Sequence, residues 1–161
     1  MLNTAEDKFY IKENLEQKLT WKDQGLKSWE AINKEKLPEA KTGKMSFDQA
    51  KEMLDKKQNG YNDYHNRLLS FSIKTLKAHN KPDRLAIFNL IDDILLHPDE
   101  VYLAEKGSNK TYQLRYIKFY KDKPVIVISE INGEEMQIKT WFEMDTDKID
   151  RDWRQGILIK K

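Results

Sequence analysis

The hydrophobic pattern changes its period once along the chain, and this change constrains the fold more than any other feature of the sequence. Before about residue 97, apolar residues recur at helical spacing, as Leu69, Ile73 and Leu76 do. After that point they alternate with polar residues, as Leu114 and Tyr116 do, which is typical of strands. Helices followed by an antiparallel meander predict an α+β fold, with N-terminal helices preceding a four- to five-stranded antiparallel sheet.

Local signals divide the helical part of the chain. Apolar residues from Phe9 to Leu19 have helical spacing, and we expect this helix to end before a linker at residues 37–46. Ser46, with Gln49 three residues later, predicts a capping box and a helix that runs to about residue 58. These signals predict that residues 1–60 form a helical N-terminal extension.

The remaining residues, 61–161, are expected to form the α+β domain itself. Two further helices are predicted, one from about residue 61 to 79 and one that restarts at residues 80–83 and has its apolar face from Leu85 to Leu95. The unbroken apolar run Val125–Ile128 favours a central strand that is covered on both faces. Asn132-Gly133 predicts a tight hairpin turn after it.

Several classes of protein are excluded by what the sequence lacks. There is no cysteine, so disulfides, thiolate catalysis, zinc ribbons and iron–sulfur clusters are excluded. The glycine-rich and histidine motifs of nucleotide-binding, dinucleotide-binding and zinc-protease sites are also missing. No apolar run approaches the ~18 residues of a transmembrane helix, and the N-terminus lacks the apolar core of a secretory signal. We therefore expect no cofactor, no metal ion and no membrane partner.

Charges of opposite sign are separated in the second half of the chain. From Lys106 to Lys123 there are six basic residues and one acid, a local charge of +5. From Glu130 to Asp152 there are eight acids and three basic residues, a local charge of −5. The basic segment is suited to bind phosphates, but the acidic segment is equally suited to neutralise it within the fold.

Aromatic and cationic side chains interleave along the basic strand, residues 111–118. Stacking on bases combined with neutralisation of phosphates is typical of surfaces that bind nucleic acid with little sequence preference. The alternative is an ordinary strand whose exposed face carries lysine and arginine. On the first interpretation the substrate-binding candidates are Tyr112, Tyr116, Lys118, Trp141 and Arg154.

Three residues are candidates for stabilising charge at a reacting phosphate. RNA cleavage without a metal needs a base for the 2′-hydroxyl, an acid for the leaving oxygen and cations near the phosphorus. Arg115, Lys139 and Thr140 lie on neighbouring predicted strands and supply two cations and a hydroxyl group. A concave sheet face that bears all three could supply this charge stabilisation.

The histidines are the candidates for proton transfer. His65 and His79 fall on one line of a predicted helix, but at 1.5 Å per residue they lie about 21 Å apart, too far to act on one phosphate. At most one of them is therefore catalytic. We take His79, at the helix end, as the candidate ahead of His65 and His97.

The order of motifs in the C-terminal hundred residues resembles that of a known family. The specific parts are L-x-x-P-D-E-V at residues 95–101, T-W-F at 140–142 and R-x-G-x-L at 154–158. Over about residues 60–161 the chain resembles the phage-associated nuclease domains of the barnase–EndoU–colicin–RelE superfamily. These domains are often found at the C-terminus of phage Mu-type minor head proteins.

This resemblance implies a small fold of helices and an antiparallel sheet, with metal-independent ribonuclease activity on the concave sheet face. Arg115, Lys139 and Thr140 would line that face, with Arg154 near its edge. The expected function is a phage or prophage ribonuclease-like domain that cleaves RNA, in the cytoplasm of the bacterial host or in the phage particle. Two alternatives stay open: a catalytically inactive structural or interaction module of a head-morphogenesis protein that binds another phage structural protein, and a toxin domain controlled by an inhibitor protein.

Overall fold

The computed structural model describes residues 19–58, 60–106 and 111–160, so the predicted helix from Phe9 onward lies mostly outside the described residues. The strands are β1 (Gly60–Asn62), β2 (Leu68–Ser70), β3 (Glu100–Lys106), β4 (Thr111–Phe119), β5 (Pro124–Asn132), β6 (Glu135–Glu143) and β7 (Ile157–Lys160). They form a seven-stranded sheet in the order β1-β2-β6-β5-β4-β3-β7. Every neighbouring pair is antiparallel except β2 and β6, which are parallel.

The helices pack against one side of the sheet, which we call the helix-covered face. They are α1 (Phe47–Lys56), α2 (Ile73–Ala78), α3 (Pro82–Leu85) and α4 (Ile91–Leu96), with a 3-10 turn at Phe88–Leu90. The predicted α+β class is confirmed, and the sheet has seven strands where four to five were predicted. The predicted capping box is also present, since Ser46 and Gln49 each bond the other's backbone N–H through the side chain. Within the described residues, no helix is both long and apolar enough to cross a membrane.

The prediction of one long helix over residues 61–79 is wrong, because this stretch forms β1, a turn and β2 before α2 begins. The carboxylate of Asp63 accepts hydrogen bonds from the backbone N–H groups of His65 and Arg67, each at 2.9 Å. Such local bonds stabilise a turn at the expense of a helix. His65 therefore lies in this turn and His79 directly after α2, and they do not share a helix face.

Residues 20–37, for which the sequence predicts helix, form turns and one 3-10 turn at Lys34–Lys36. This segment, which we call the strap, packs on the side of the sheet opposite the helices, the strap face. Trp29 is buried there, with its ring centroid 5.6 Å from that of Phe119 in β4. The strap is thus packed against the sheet, and the predicted boundary near residue 60 stays a prediction.

Strand alternation distributes the side chains of β4 between the two faces. Leu114 and Tyr116 belong to the core beneath the helices, whereas Ile117 belongs to the smaller core beneath the strap. Arg115 lies two residues from Ile117 in the same strand and is therefore on the strap face as well. The functional candidates on this face are positioned by β4, β5 and β6, whose pairing is the most extensive in the sheet.

Candidate nucleic-acid interface

Arg115 projects from β4 onto the strap face, where its side chain is half-buried. Its Nε donates to Oε1 of Gln113 at 2.8 Å, and its Nη1 donates to the backbone oxygen of Trp153 at 3.3 Å. Both acceptors are neutral. Burial lowers the pKa of Arg115, but a guanidinium group remains protonated in proteins.

The charge of Arg115 is not matched by an acid in the described part of the chain. The other four arginines each lie within 4.0 Å of a carboxylate, whereas no described carboxylate lies within that distance of Arg115. A partly desolvated cation without a counter-charge is unfavourable unless an anion binds to it. Arg115 is therefore suited to bind an anionic group such as a phosphate.

Thr140 lies on the same face as Arg115 because of the strand register. Ile128 of β5 is paired with Arg115 on one side and with Thr140 on the other. Two strand spacings of about 4.8 Å place the Cα atoms of Arg115 and Thr140 about 10 Å apart. Both side chains can therefore reach a phosphate group that is bound above Ile128.

Arg84 reaches the same face from α3, around the edge of β6. Its Nη1 donates to Oγ1 of Thr140 at 2.7 Å and to the backbone oxygen of Trp141 at 2.8 Å. In return, the indole N–H of Trp141 donates to the backbone oxygen of Arg84 at 2.8 Å. The nearest described acid, Asp83, is 3.9 Å from Nε of Arg84 and 76% exposed, so this ion pair is weak.

Two half-buried aromatic rings connect the two arginines. Phe142 of β6 and Trp153, the last residue of the short π-helical turn Ile149–Trp153, contact edge to face with their centroids 5.0 Å apart. The Cζ atom of Arg84 lies 5.3 Å from the Phe142 ring, and that of Arg115 lies 5.4 Å from the Trp153 ring. We call these four residues the arginine–aromatic row. The rings hold the guanidinium groups in position and offer an apolar surface for a nucleic-acid base.

A β-bulge in β6 places Lys139 at the edge of this surface. The register between β5 and β6 shifts between Ile128 and Ser129, which leaves Lys139 as the additional, exposed residue. The Nε2 atom of His79 lies 2.9 Å from the backbone oxygen of Lys139. Because a carbonyl oxygen only accepts hydrogen bonds, Nε2 carries the proton and Nδ1 of the neutral ring keeps its lone pair.

The surroundings of His79 lower its pKa from the ordinary value of 6.5. Burial is the largest cause, since the ring packs at 5.4 Å from the Trp141 ring. The hydrogen bond to the backbone of Lys139 opposes this effect, and the charges of Arg84 and Lys81 lower the pKa further. The ring is therefore neutral at pH 7 and able to accept a proton.

The five predicted substrate-binding residues lie outside the arginine–aromatic row. Four are on the helix-covered face: Tyr112, Tyr116, Lys118 and Trp141. The Tyr116 hydroxyl donates to the buried carboxylate of Asp63 at 2.7 Å, and Lys118 donates to the backbone oxygen of His97 at 2.8 Å. The fifth, Arg154, is fully buried beneath the strap. The role in RNA binding assigned to these five residues stays a prediction.

Sequence reasoning missed Arg84, Phe142 and Trp153. The bond from Arg84 to Thr140 joins positions 56 apart, and the bond from Arg115 to Trp153 joins positions 38 apart, so no local pattern predicts either contact. Phe142 had a usable signal, because it follows Thr140 by two residues and strand alternation places both on one face.

Strand alternation also places the half-buried carboxylate of Glu130 on the strap face, two residues from Ile128 in β5.

Comparison with known proteins identifies the family. A family model described as phage-Barnase-EndoU-ColicinE5/D-RelE like nuclease2 matches residues 22–160. The chain belongs to this family. This match confirms the family resemblance that the motifs indicated. The matched region of this phage-associated nuclease domain contains all seven strands and the whole strap except its first residues. No curated protein and no solved structure matches the nuclease domain.

Proposed function

We propose that this domain is a metal-independent endoribonuclease whose scissile phosphate binds between Arg84 and Arg115 on the strap face. The observation that supports this most strongly is the half-buried guanidinium group of Arg115, which has only neutral described partners. A phosphate group would supply the missing negative charge and accept several N–H donors at once. As negative charge grows on the phosphate oxygens in the transition state, the same fixed donors stabilise it.

The proposed reaction is transesterification within the RNA strand. The 2′-oxygen attacks the phosphorus, so that an O2′–P bond forms and the P–O5′ bond breaks. Nδ1 of His79 accepts the proton from the 2′-hydroxyl, and the leaving 5′-oxygen takes a proton from water. The products are a 2′,3′-cyclic phosphate and a 5′-hydroxyl group, and DNA is not a substrate because it lacks the nucleophile.

Thr140 and Lys139 complete the proposed site. The Thr140 oxygen accepts a hydrogen bond from Arg84, which leaves its own O–H free to donate to a phosphate oxygen. Lys139 is exposed at the bulge and adds a second positive charge beside the hydroxyl group. Removal of either side chain should weaken substrate binding without removing Arg115 from its place.

Cleavage of a labelled RNA pool in EDTA tests this proposal, with wild type compared with Arg115→Ala and Lys139→Ala. We expect wild type to cut RNA without added metal and both variants to lose most of the activity. If wild type binds the RNA but leaves it intact, the inactive interaction module is the better account. Strong growth inhibition when the protein is expressed, relieved by a second protein, would instead support the alternative of a toxin domain controlled by an inhibitor.

The acidic limb of the pH profile tests the role of His79. A base acts in its deprotonated form, so kcat/KM should rise with pH through the pKa of His79 in the free enzyme. Because burial and neighbouring cations lower that pKa, we expect the midpoint to lie below the ordinary histidine value of 6.5. The variant His79→Ala should lose this limb, and its rate should fall by about 10²–10⁴-fold.

Glu130→Gln is the matched control for the pH experiment, because Glu130 is a half-buried carboxylate on the same face. We expect this variant to keep the acidic limb with its midpoint in place. If the limb survives in His79→Ala and disappears in Glu130→Gln, the carboxylate is the base and the assignment of His79 is wrong.

A further inference from the structure

An unusual group of lysines surrounds the bulge of β6. Their side chains are exposed and come from α2, from the turn before α3 and from the bulge itself: Lys74, Lys77, Lys81 and Lys139. Lys74 and Lys77 are three residues apart and therefore lie on the same side of α2. The backbone N–H of Lys81 donates to the backbone oxygen of His79 at 2.8 Å, which places this lysine beside the proposed site.

None of these four lysines has an ion-pair partner among the described residues, which is also true of several other lysines, such as Lys22 and Lys27 of the strap. Six others lie within 4.0 Å of a carboxylate: Lys56, Lys57, Lys118, Lys121, Lys123 and Lys148. Between residues 72 and 84 the only acid is Asp83. The stretch between residues 72 and 84 therefore carries an excess of positive charge on one side of the arginine–aromatic row.

The opposite side of the row has no such excess of positive charge. The loop and turn that lead to Trp153 hold four acids and two basic residues between positions 145 and 152. One of those basic residues, Arg151, is bonded to Asp152. Asp150 is in turn bonded to Arg154, so this side is close to neutral, and a polyanion bound at the row is attracted towards the side of α2.

We propose that Lys74, Lys77, Lys81 and Lys139 form a lysine track that binds the phosphates of single-stranded RNA on one side of the scissile phosphate. This inference rests on the proposed function, which places that phosphate between Arg84 and Arg115. A single strand fits because its unpaired bases can stack on the half-buried rings of the row while its backbone follows the lysines. Substrate length is then a determinant of affinity, since a dinucleotide cannot reach α2.

Salt dependence of binding measures the number of phosphates that the track neutralises. The probe is a fluorescent single-stranded RNA of about twelve nucleotides with 2′-O-methyl groups, which prevent cleavage, and Kd is measured at several salt concentrations. Each lost phosphate contact lowers the slope of log K against log salt by about 0.7 for a single strand. The triple variant Lys74→Gln, Lys77→Gln, Lys81→Gln should therefore lose about 2 from the slope.

The matched control replaces three exposed lysines of the strap, Lys22, Lys27 and Lys36, with glutamine. It removes the same net charge, so an effect of overall charge alone changes both triple variants equally. We expect the control to keep the wild-type slope and both variants to bind a dinucleotide as wild type does. Equal slopes for the two triple variants, or tighter binding of wild type to duplex RNA than to single strands, would overturn the proposal.

Cleavage of unmodified RNA separates the track from the proposed reaction. If wild type shows the lysine-dependent slope but cuts nothing, the track stands and the ribonuclease proposal fails. If wild type cuts RNA and the triple variant of Lys74, Lys77 and Lys81 matches the strap control in slope, the reaction stands and the track is wrong. Failure of wild type to bind the single-stranded probe overturns both.

Discussion

Replacement of Arg154 by alanine is expected to destabilise the domain by about 3–5 kcal/mol, because it leaves a carboxylate buried without its counter-charge. Arg154 is completely buried, and its guanidinium donates to both oxygens of Glu100, at 2.6 and 2.8 Å. Glu100 is itself only 4% exposed. Urea unfolding measures the loss as a shift of the midpoint at an unchanged slope.

The surroundings of Arg154 explain why the loss should be this large. A third donor, Nη1, bonds to Asp150 at 2.7 Å, and the same carboxylate accepts the backbone N–H of Trp29 in the strap. The guanidinium group also lies between the rings of Trp21 and Phe119, at 5.0 and 5.3 Å from their centroids. Arg154 thus joins the strap to the sheet, and its loss loosens both.

Arg151→Ala is the matched control for stability, since Arg151 is 69% exposed and bonded only to the neighbouring Asp152. We expect its unfolding free energy to be close to that of wild type. A double change, Glu100→Gln with Arg154→Met, should recover part of the stability because no charge is then buried alone. If Arg154→Ala matches Arg151→Ala, the buried ion pair does not stabilise the fold.

Arg115→Ala is expected to have the largest effect on activity, a fall in kcat of about 10²–10³-fold. The described structure gives Arg115 no ion pair, so its removal should leave the melting temperature close to that of wild type. Arg115→Lys should recover only part of the rate, because an ammonium group lacks the planar pair of donors that fits a phosphate. Single-turnover cleavage of a short RNA measures kcat directly, and a normal rate in Arg115→Ala would remove the proposed role.

The parts of the fold that were predictable from the sequence depend on local signals. The capping box at Ser46, the strand Val125–Ile128 and the turn at Asn132-Gly133 each involve residues within a few positions of one another. The helix prediction for residues 61–79 failed because the apolar spacing there suits a helix, whereas Asp63 stabilises a turn and the two flanking strands pair within the sheet. Tertiary pairing there overrides the helical pattern.

The candidate site was predictable to the extent that strand alternation determines it. The family resemblance implied that Arg115, Lys139 and Thr140 share one face; the register through Ile128 places Arg115 and Thr140 on the strap face, and the bulge leaves Lys139 at its edge. Arg84 was out of reach of such reasoning, because it belongs to a helix and meets Thr140 only after the chain has folded. The alternation that exposes Arg115 gives no information on Trp153, which comes from the turn after β6.

A ribonuclease site on the strap face is tested by identifying the ends left on a short RNA after incubation in EDTA with wild type, Arg115→Ala and Arg151→Ala. We expect wild type and Arg151→Ala to produce 2′,3′-cyclic phosphate and 5′-hydroxyl ends at equal rates, while Arg115→Ala produces almost none. The same ends produced equally fast by Arg115→Ala, or no cleavage by wild type at any pH, would contradict a ribonuclease site on the strap face.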